Sequence, residues 1–409
     1  MFFNDLIFVF ILIAYSYLQN RILLNVFNKN RNVSLSDSDF TKPQAFHEKS
    51  TYRLGGITIF LALIVIFLYS FFFNKIIYFE YISFCTAFFL LGLIDDLKIN
   101  LKPKLRLLLM GSFLIALIIN NNFYIEKTGL GFLNNLLEID IFSLFFVCLC
   151  FLFIINGSNL IDGFNGLLGI HSLIIFIVLF TINFISENNH LAEIISFVII
   201  LILVFLKFNF PKAKIFLGDS GAYLIGVLIA ISVINTSISN PNVSPFFFCI
   251  LLFYLFFEVF FSFIRKLFFA RQSPLFPDGN HLHMLVYKFL LKKNIKKLTS
   301  NYMTSLYINL FYVILLAPGI LFMKNGIFCK YYFLFLYKRW AIFDFTLCRR
   351  SDYIALPHFF RVQSSRLTIP SGEHVHRQSL HALAPFPLQE KEAPTLEPPV
   401  PERVIRCFS

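Results

Sequence analysis

The sequence predicts an all-α, polytopic membrane protein with about ten transmembrane helices and a disordered C-terminal tail, and three observations carry that prediction. The first is composition: 57% of the 409 residues are hydrophobic, 18% aromatic and only 14% charged, with a mean hydropathy of +0.73. A soluble domain does not hold that balance. The second is run length, because apolar stretches near the ~20 residues that cross a ~30 Å hydrocarbon core recur through the first 325 residues. The third is the distribution of Lys and Arg, which alternates from loop to loop.

The elements follow in order. A first span near residues 5–18 has no basic leader and no small-residue cleavage site, so it reads as a span and not as a removed signal. The second, 54–73, opens after "HEKSTYRLGG", and the third, 76–94, closes into "LIDDLKINLKPKLR". Spans at 105–120 and 139–155 lead to "NGSNLIDGFNG", an interruption with three Asn, three Gly and one carboxylate between two oily runs. Spans at 167–185 and 191–206 lead to "FNFPKAKIFLGDSGAYLIG", which feeds the eighth at 220–234. The ninth, 246–264, ends in "RKLFFARQSPLFPDGNHLHML", and the tenth covers 305–323.

Loops after odd-numbered spans carry 21 Lys and Arg residues, whereas loops after even-numbered spans, up to the tenth, carry Lys75 and Lys127. The positive-inside rule then puts the odd loops in the cytoplasm and the N-terminus outside. The net charge of +12 is therefore an orientation signal with affinity for anionic lipid and phosphorylated substrates, and it does not point to nucleic acid. The seven Cys lie mostly inside apolar runs with no zinc spacing, and they read as small apolar fillers. Domain organisation is read as a multispanning unit over 1–325, a hydrophobic segment of uncertain role over 326–345, and a tail over 346–409. Before Lys338, Lys outnumbers Arg 19 to 6, and from there on eight Arg, two Lys and no Asn occur. Eight of the 16 Pro follow Ile354, so the tail reads as disordered and as foreign coding sequence joined to a complete membrane protein. His374 and His376 read as solvated tail residues.

All five polar islands fall on the predicted cytoplasmic side. Taken singly each has a plain structural explanation: solvated acids ending a helix, Gly and Asn turning the chain, a surface "HLH". "GDSG" has no base nearby that would make its Ser a nucleophile. Independent turns would not sort to one face, however. Asp95, Asp96, Asp162 and Asp219 stand where loops re-enter apolar helices, and an unpaired Asp at a helix centre costs ~2.5–3.5 kcal/mol on insertion scales. A hard divalent cation suits such oxygen ligands, and Mg²⁺ takes one or two carboxylates plus substrate phosphates. Arg53, Lys104, Arg106 and Arg265 are cations fit for pyrophosphate oxygens. Asp219 and Ser220 sit where a helix should begin, so the amides there are expected to face an anion. The residues alone thus predict metal-assisted phosphoryl transfer at the cytoplasmic surface, on a lipid-embedded substrate.

The order "xRxGG", "DD" with a downstream "KxR", "NxxNxxDGxxGL", "GDSGxxxxG" and "PDxxHLH" resembles the polyprenyl-phosphate N-acetylhexosamine-1-phosphate transferases, the MraY/WecA-like family, over residues 1–325. The resemblance implies an Mg²⁺-dependent enzyme, with Mn²⁺ an alternative ion, in the bacterial inner membrane. Its partners would be a UDP-N-acetylsugar and a polyprenyl (undecaprenyl) phosphate, and a homodimer is admitted. By the same resemblance Asp219 would ligate the metal with Asn159, and Asn165 and its neighbours would hold the uracil. Asp95 or Asp96 would bind or deprotonate the lipid phosphate, Lys104 and Arg106 would neutralise phosphates, and His281 and His283 would contact diphosphate and sugar. Gly163 and Gly166 would turn the backbone while Asp162 positions the amides of Asn159 and Asn165. Tyr52, Glu258, Gly279, Asn280 and Met284 depart from the family's usual residues, and "YRLGG" is nearer the branch that initiates O-antigen-like or cell-wall polysaccharide than the peptidoglycan branch. The alternatives are a phospho-N-acetylmuramoyl-pentapeptide transferase, an inactive scaffold of the same fold, and a multispanning lipid or sugar transporter. A transporter would place its ionisable groups near the midplane in broken helices.

Overall fold

The structure, a computed structural model, describes residues 2–30, 35–37, 51–99, 101–125, 127–269 and 281–354. Its elements run α1 (Phe2–Asn30), β1 (Ser36–Asp37), β2 (Thr51–Arg53), α2 (Gly55–Tyr69), α3 (Phe79–Asp96), α4 (Pro103–Asn121), α5 (Gly131–Leu137) and α6 (Asp140–Ile161). They continue through α7 (Leu167–Ile185), α8 (Asn189–Asn209), β3 (Ile215–Phe216), α9 (Gly218–Ser239), α10 (Pro245–Leu251), α11 (Phe253–Ile264), α12 (Leu282–Lys292), α13 (Lys297–Leu321) and α14 (Gly326–Ile354). π-helical turns prolong α2 over Ser70–Asn74 and α11 over Arg265–Phe269.

The chain is a multi-pass membrane protein. Among the described residues eight helices are long and apolar enough to cross a bilayer, or nine if the bent pair Pro245–Leu251 and Phe253–Leu267 is one span. α3 supplies the tenth, although Glu80, Asp95 and Asp96 make it more acidic than the others. Arg53, just before α2, lies 3.4 Å from Asp96, the last residue of α3, so α3 must run back along the full length of α2. With α3, about ten crossings are present among the described residues, in line with the sequence.

Four details differ from the sequence reading. The ninth span is broken, its halves α10 and α11 bending by 72° at Leu252. α6 does not stop at residue 155 but continues through Asn156–Ile161, which reduces the polar interruption to the turn from Asp162 to Gly166. A short helix, α5, precedes α6. Past residue 325 the chain forms α14, whose Phe333, Tyr337 and Trp340 rings meet Phe253, Phe257 and Phe260 of α11. α14 also carries residues 346–354, which the sequence assigns to the disordered tail; the rest of that tail, 355–409, lies outside the described residues.

α9 is the axis of the bundle. Some 83% of its membrane-length window is buried, and it packs against α2, α3, α6, α7 and α8. A helix apolar all round belongs in such a position. Its small residues Gly221, Ala222, Gly226, Ala230 and Ser232 let neighbouring backbones approach, which is how helices associate where lipid removes the hydrophobic drive between them. The N-terminus of α9 is consequently the point on which the surrounding helices converge.

Candidate active site

A three-stranded sheet, in the order β1-β2-β3, starts the site. β2 and β3 pair in parallel, Tyr52 with Ile215 and Arg53 with Phe216, and the Gly56 amide donates to the Leu217 carbonyl at 2.9 Å. This pairing carries "YRLGG" and "IFLGDSG", whose paired residues Tyr52 and Ile215 lie far apart in sequence, to the same end of the bundle. Gly218 then enters α9 with φ of +78°, and a Cβ built there would lie 2.6 Å from a carboxylate oxygen of Asp96. Gly92, one turn before Asp96 on α3, touches the Ser220 backbone so closely that a Cβ would collide with it.

That close approach decides what Asp96 does. Its Oδ1 accepts the Asp219 amide at 2.9 Å, and its Oδ2 accepts the Ser220 amide at 2.9 Å and the Ser220 hydroxyl at 2.6 Å. The residue is 1% exposed. Asp96 therefore caps the N-terminus of α9 from a different helix, satisfying donors that helix cannot pair internally and meeting the positive end of its dipole. The anion expected at the Asp219–Ser220 amides is the protein's own carboxylate, so substrate does not take that place.

Asp95 is placed differently. Its Oδ2 lies 3.3 Å from Arg106 and accepts the Tyr223 hydroxyl at 3.4 Å, while Oδ1 has no partner among the described residues. Tyr223 also receives the Asn159 side-chain amide at 3.5 Å, so one phenol links α3 and α6 through α9. Arg53 bridges Asp96 and Asp219, at 3.4 and 3.8 Å. The Asp219 side chain keeps 28% of its surface exposed. Asp162, half-buried at the end of α6, has a carboxylate with no hydrogen-bond partner among the described residues. Burial first, and then the negative charge of Asp219, push its pKa well above the usual carboxylate range, against the pull of Arg53.

The two His form a second cluster. His281 Nδ1 lies 2.9 Å from Glu258 Oε2, and His283 Nδ1 lies 3.2 Å from the Tyr254 hydroxyl. Their rings are parallel, 5.5 Å apart, and both Nε2 atoms are buried without a partner among the described residues. His283 also packs edge-on against Phe164, inside the turn that carries Asp162. Burial lowers its pKa to about 4, so it is neutral at pH 7. Arg265, on the π-helical turn after α11, lies over the Phe261 ring at 5.8 Å, and its charge reaches Glu258.

Two predicted residues sit elsewhere. Lys104 is exposed on α4 and heads an open groove of about 470 Å³ lined by Leu107, Leu108, Gly111, Ser112 and Ile115. Two residues from Arg106 on a helix, it faces the other way. Asn165 is buried, with its side-chain amide donating to the Pro211 carbonyl at 3.0 Å and its backbone N–H donating to Asn301 at 2.9 Å. Its geometry ties the α6–α7 turn to the loop before β3. Asn209 does the same, accepting the Gly166 amide at 2.6 Å and donating to the Ile215 carbonyl at 2.9 Å.

Among the described residues no three His, Cys, Asp or Glu side chains are gathered as a metal cluster. The under-partnered carboxylates of Asp162 and Asp219 nevertheless fit a hard cation that draws its other ligands from substrate phosphate and water. They do not fit an ion that needs a full cage of protein ligands.

Residues 78–237 match the model of glycosyl transferase family 4, a stretch that contains α3 through most of α9 and both Asp95–Asp96 and Asp219. Over 303 residues the chain is 28% identical to the undecaprenyl-phosphate alpha-N-acetylglucosaminyl 1-phosphate transferase of Thermotoga maritima, covering 74% of this chain and 85% of that protein. Over residues 78–237 the chain is similar to glycosyl transferase family 4. Other relatives carry two different names. One is the phospho-N-acetylmuramoyl-pentapeptide-transferase of Dictyoglomus turgidum, 35% identical over 198 residues, 46% of this chain and 61% of that protein. Another is the probable undecaprenyl-phosphate N-acetylglucosaminyl 1-phosphate transferase of Bacillus subtilis, 29% identical over 241 residues, 58% of this chain and 66% of that protein. The match thus spans less than two thirds of those two relatives. Arg53, Arg265, His281 and His283 lie outside the segment that fits the family 4 model and join the site through β2, α11 and α12.

Sequence reading missed several residues of this site. Tyr223 follows Asp219 by four and must share its helix face, a signal that was available. Asn209, Tyr254 and Asn301 gave none, because single polar residues at helix ends are common and their partners lie far along the chain.

Proposed function

We propose that this transferase moves an N-acetylhexosamine 1-phosphate from a UDP-N-acetylsugar to a polyprenyl phosphate at the inner face of the bacterial plasma membrane. A lipid phosphate oxygen attacks the β-phosphorus, the bond from that phosphorus to the bridging oxygen breaks, and UMP leaves. The product is a polyprenyl-diphospho-sugar that stays in the bilayer. One observation carries the reading: four carboxylates and two guanidiniums from separate segments converge at one end of α9, in a layout suited to a diphosphate rather than to a path across the membrane.

The residues divide the work. Asp96 holds α3 on α9 and fixes the first turn that carries Asp219. Asp95, with one oxygen uncommitted and Arg106 beside it, is the better placed of the pair to receive the lipid phosphate; a phosphate monoester is already largely ionised at neutral pH, so no strong base is needed. Asp219 and Asp162, with Asn159 nearby, would hold Mg²⁺. That ion would act as a Lewis acid on the phosphoryl oxygens and draw the charge off the leaving UMP. Arg53 and Arg106 meet phosphate oxygens, and His281 and His283 present their free Nε2 atoms to the diphosphate and sugar. The Lys- and Arg-rich loops at this end support a cytoplasmic face, with the N-terminus outside.

The test is exchange of radiolabelled UMP into UDP-N-acetylglucosamine by membranes containing the protein, which a transferase catalyses and a transporter does not. Asp219→Asn is expected to lower Mg²⁺-dependent exchange by at least ~100-fold, about 3 kcal/mol of lost transition-state stabilisation. Full Mg²⁺-dependent turnover in that variant would overturn the metal assignment. A panel of UDP-N-acetylsugars with undecaprenyl phosphate then identifies the donor, on which the relatives' two names disagree.

A further inference from the structure

We propose that Glu258 is a positioning residue that acts through His281, locking its ring in orientation and as the Nδ1–H form. The proposal rests on the transferase reading for its kinetic consequence, while the lock itself is a property of the fold. Glu258 is 4% exposed, deep in α11. A buried carboxylate there is costly unless paired, and both oxygens of Glu258 are paired. Its Oε2 meets His281 Nδ1 at 2.9 Å, and its Oε1 accepts the Leu282 amide at 3.2 Å. His283 Nδ1 stands 4.0 Å from Oε1, and the charge of Arg265 reaches the same group.

An ionised carboxylate only accepts, so the nitrogen facing it must carry the proton. His281 Nε2 is then a bare lone pair when the ring is neutral and an N–H donor when it is protonated. That atom is buried and has no partner among the described residues, as does its counterpart on the parallel ring of His283. His283 has a different anchor, the Tyr254 hydroxyl, and stays neutral at pH 7 because of its burial. The two rings, alike in orientation, are thereby made unlike: one is anchored at Nδ1 by a buried carboxylate, the other by a phenol hydroxyl. Backing an imidazole with a carboxylate is the same device that orients metal-bound and catalytic histidines. The Glu258 carboxylate also holds the first amide of α12, so ring orientation and helix start are set by one group.

The test is a double-variant cycle in UMP exchange, with thermal unfolding of each purified variant as the control for folding. Glu258→Gln is expected to lower kcat/KM by about 10–100-fold, the range seen when an orienting partner of a functional His is lost. Placed in a His281→Gln background, Glu258→Gln should cost no further kcat/KM. Losses that multiply in the double variant would overturn the proposal, because Glu258 would then act by a route that does not pass through His281. If Glu258→Gln does not fold, nitrogen-15 NMR of the unsubstituted protein with labelled His decides the matter. The signal that disappears in His281→Gln should report a proton on Nδ1, and a proton on Nε2 alone would sink the proposal. An unsubstituted protein that exchanges no UMP would reject the transferase reading, while the NMR result would still decide the lock.

Discussion

Asp95 and Asp96 are adjacent, chemically identical and differently employed, and substitution should separate them. Asp96→Asn removes a charge that three donors and Arg53 surround in a buried place, so α9 loses its cap. Unfolding free energy should fall by about 1–3 kcal/mol, visible as a lower Tm in detergent. Asp95→Asn should leave Tm nearly unchanged and abolish UMP exchange. His283 offers a test with pH. Its folded pKa of about 4 lies below the ordinary value of 6.5, so between those values the unfolded chain binds the proton more readily. Stability should therefore fall as pH drops from about 6.5 toward 4, by on the order of 3 kcal/mol from this group. A His283→Gln variant should show a flatter Tm against pH across that window; an identical slope would mean the ring is not held neutral. Sequence could place both acids and both His on one face, but it could not tell a cap from a ligand. That distinction depends on whether a partner helix approaches within hydrogen-bond reach.

Among the helices the decisive contact is α3 against α9. Gly92→Ala should push the two apart, because the added methyl meets the Ser220 backbone and has no flexible side chain to displace. A loss of about 1–3 kcal/mol is expected from the overpacking, together with weaker exchange as Asp96 withdraws from the α9 amides. Comparison of Tm and turnover with the unsubstituted protein checks both. The helices themselves were legible, since apolar runs of membrane length admit few other readings. Their breaks were not. The bend at Leu252 falls in "CILLFYLFF", without Gly or Pro, and follows from tertiary packing. The early end assigned to α6 was the opposite error: Asn156 looks like a breaker, yet its amide donates to the Leu152 carbonyl and the helix runs on.

Over the molecule as a whole, the one-sided site was legible because charge bias and motif placement are both set by the membrane. The boundary at residue 325 was harder to place. Composition changes sharply near Lys338, whereas α14 packs Phe333, Tyr337 and Trp340 onto α11. Trp340 also contacts Tyr254, the residue that holds His283. A chain ending after Ile354 is expected to keep full exchange activity, whereas one ending after Asn325 should unfold at lower temperature and lose activity. Equal behaviour of the two would support a transferase unit that ends by residue 325.

Anchoring Asp96 on the first amides of α9 also fixes a rotational phase. One residue added to α3 between Gly92 and Asp95 would turn everything beyond it by about 100°, swinging the anchoring carboxylate off its amides. Those few positions must keep their count.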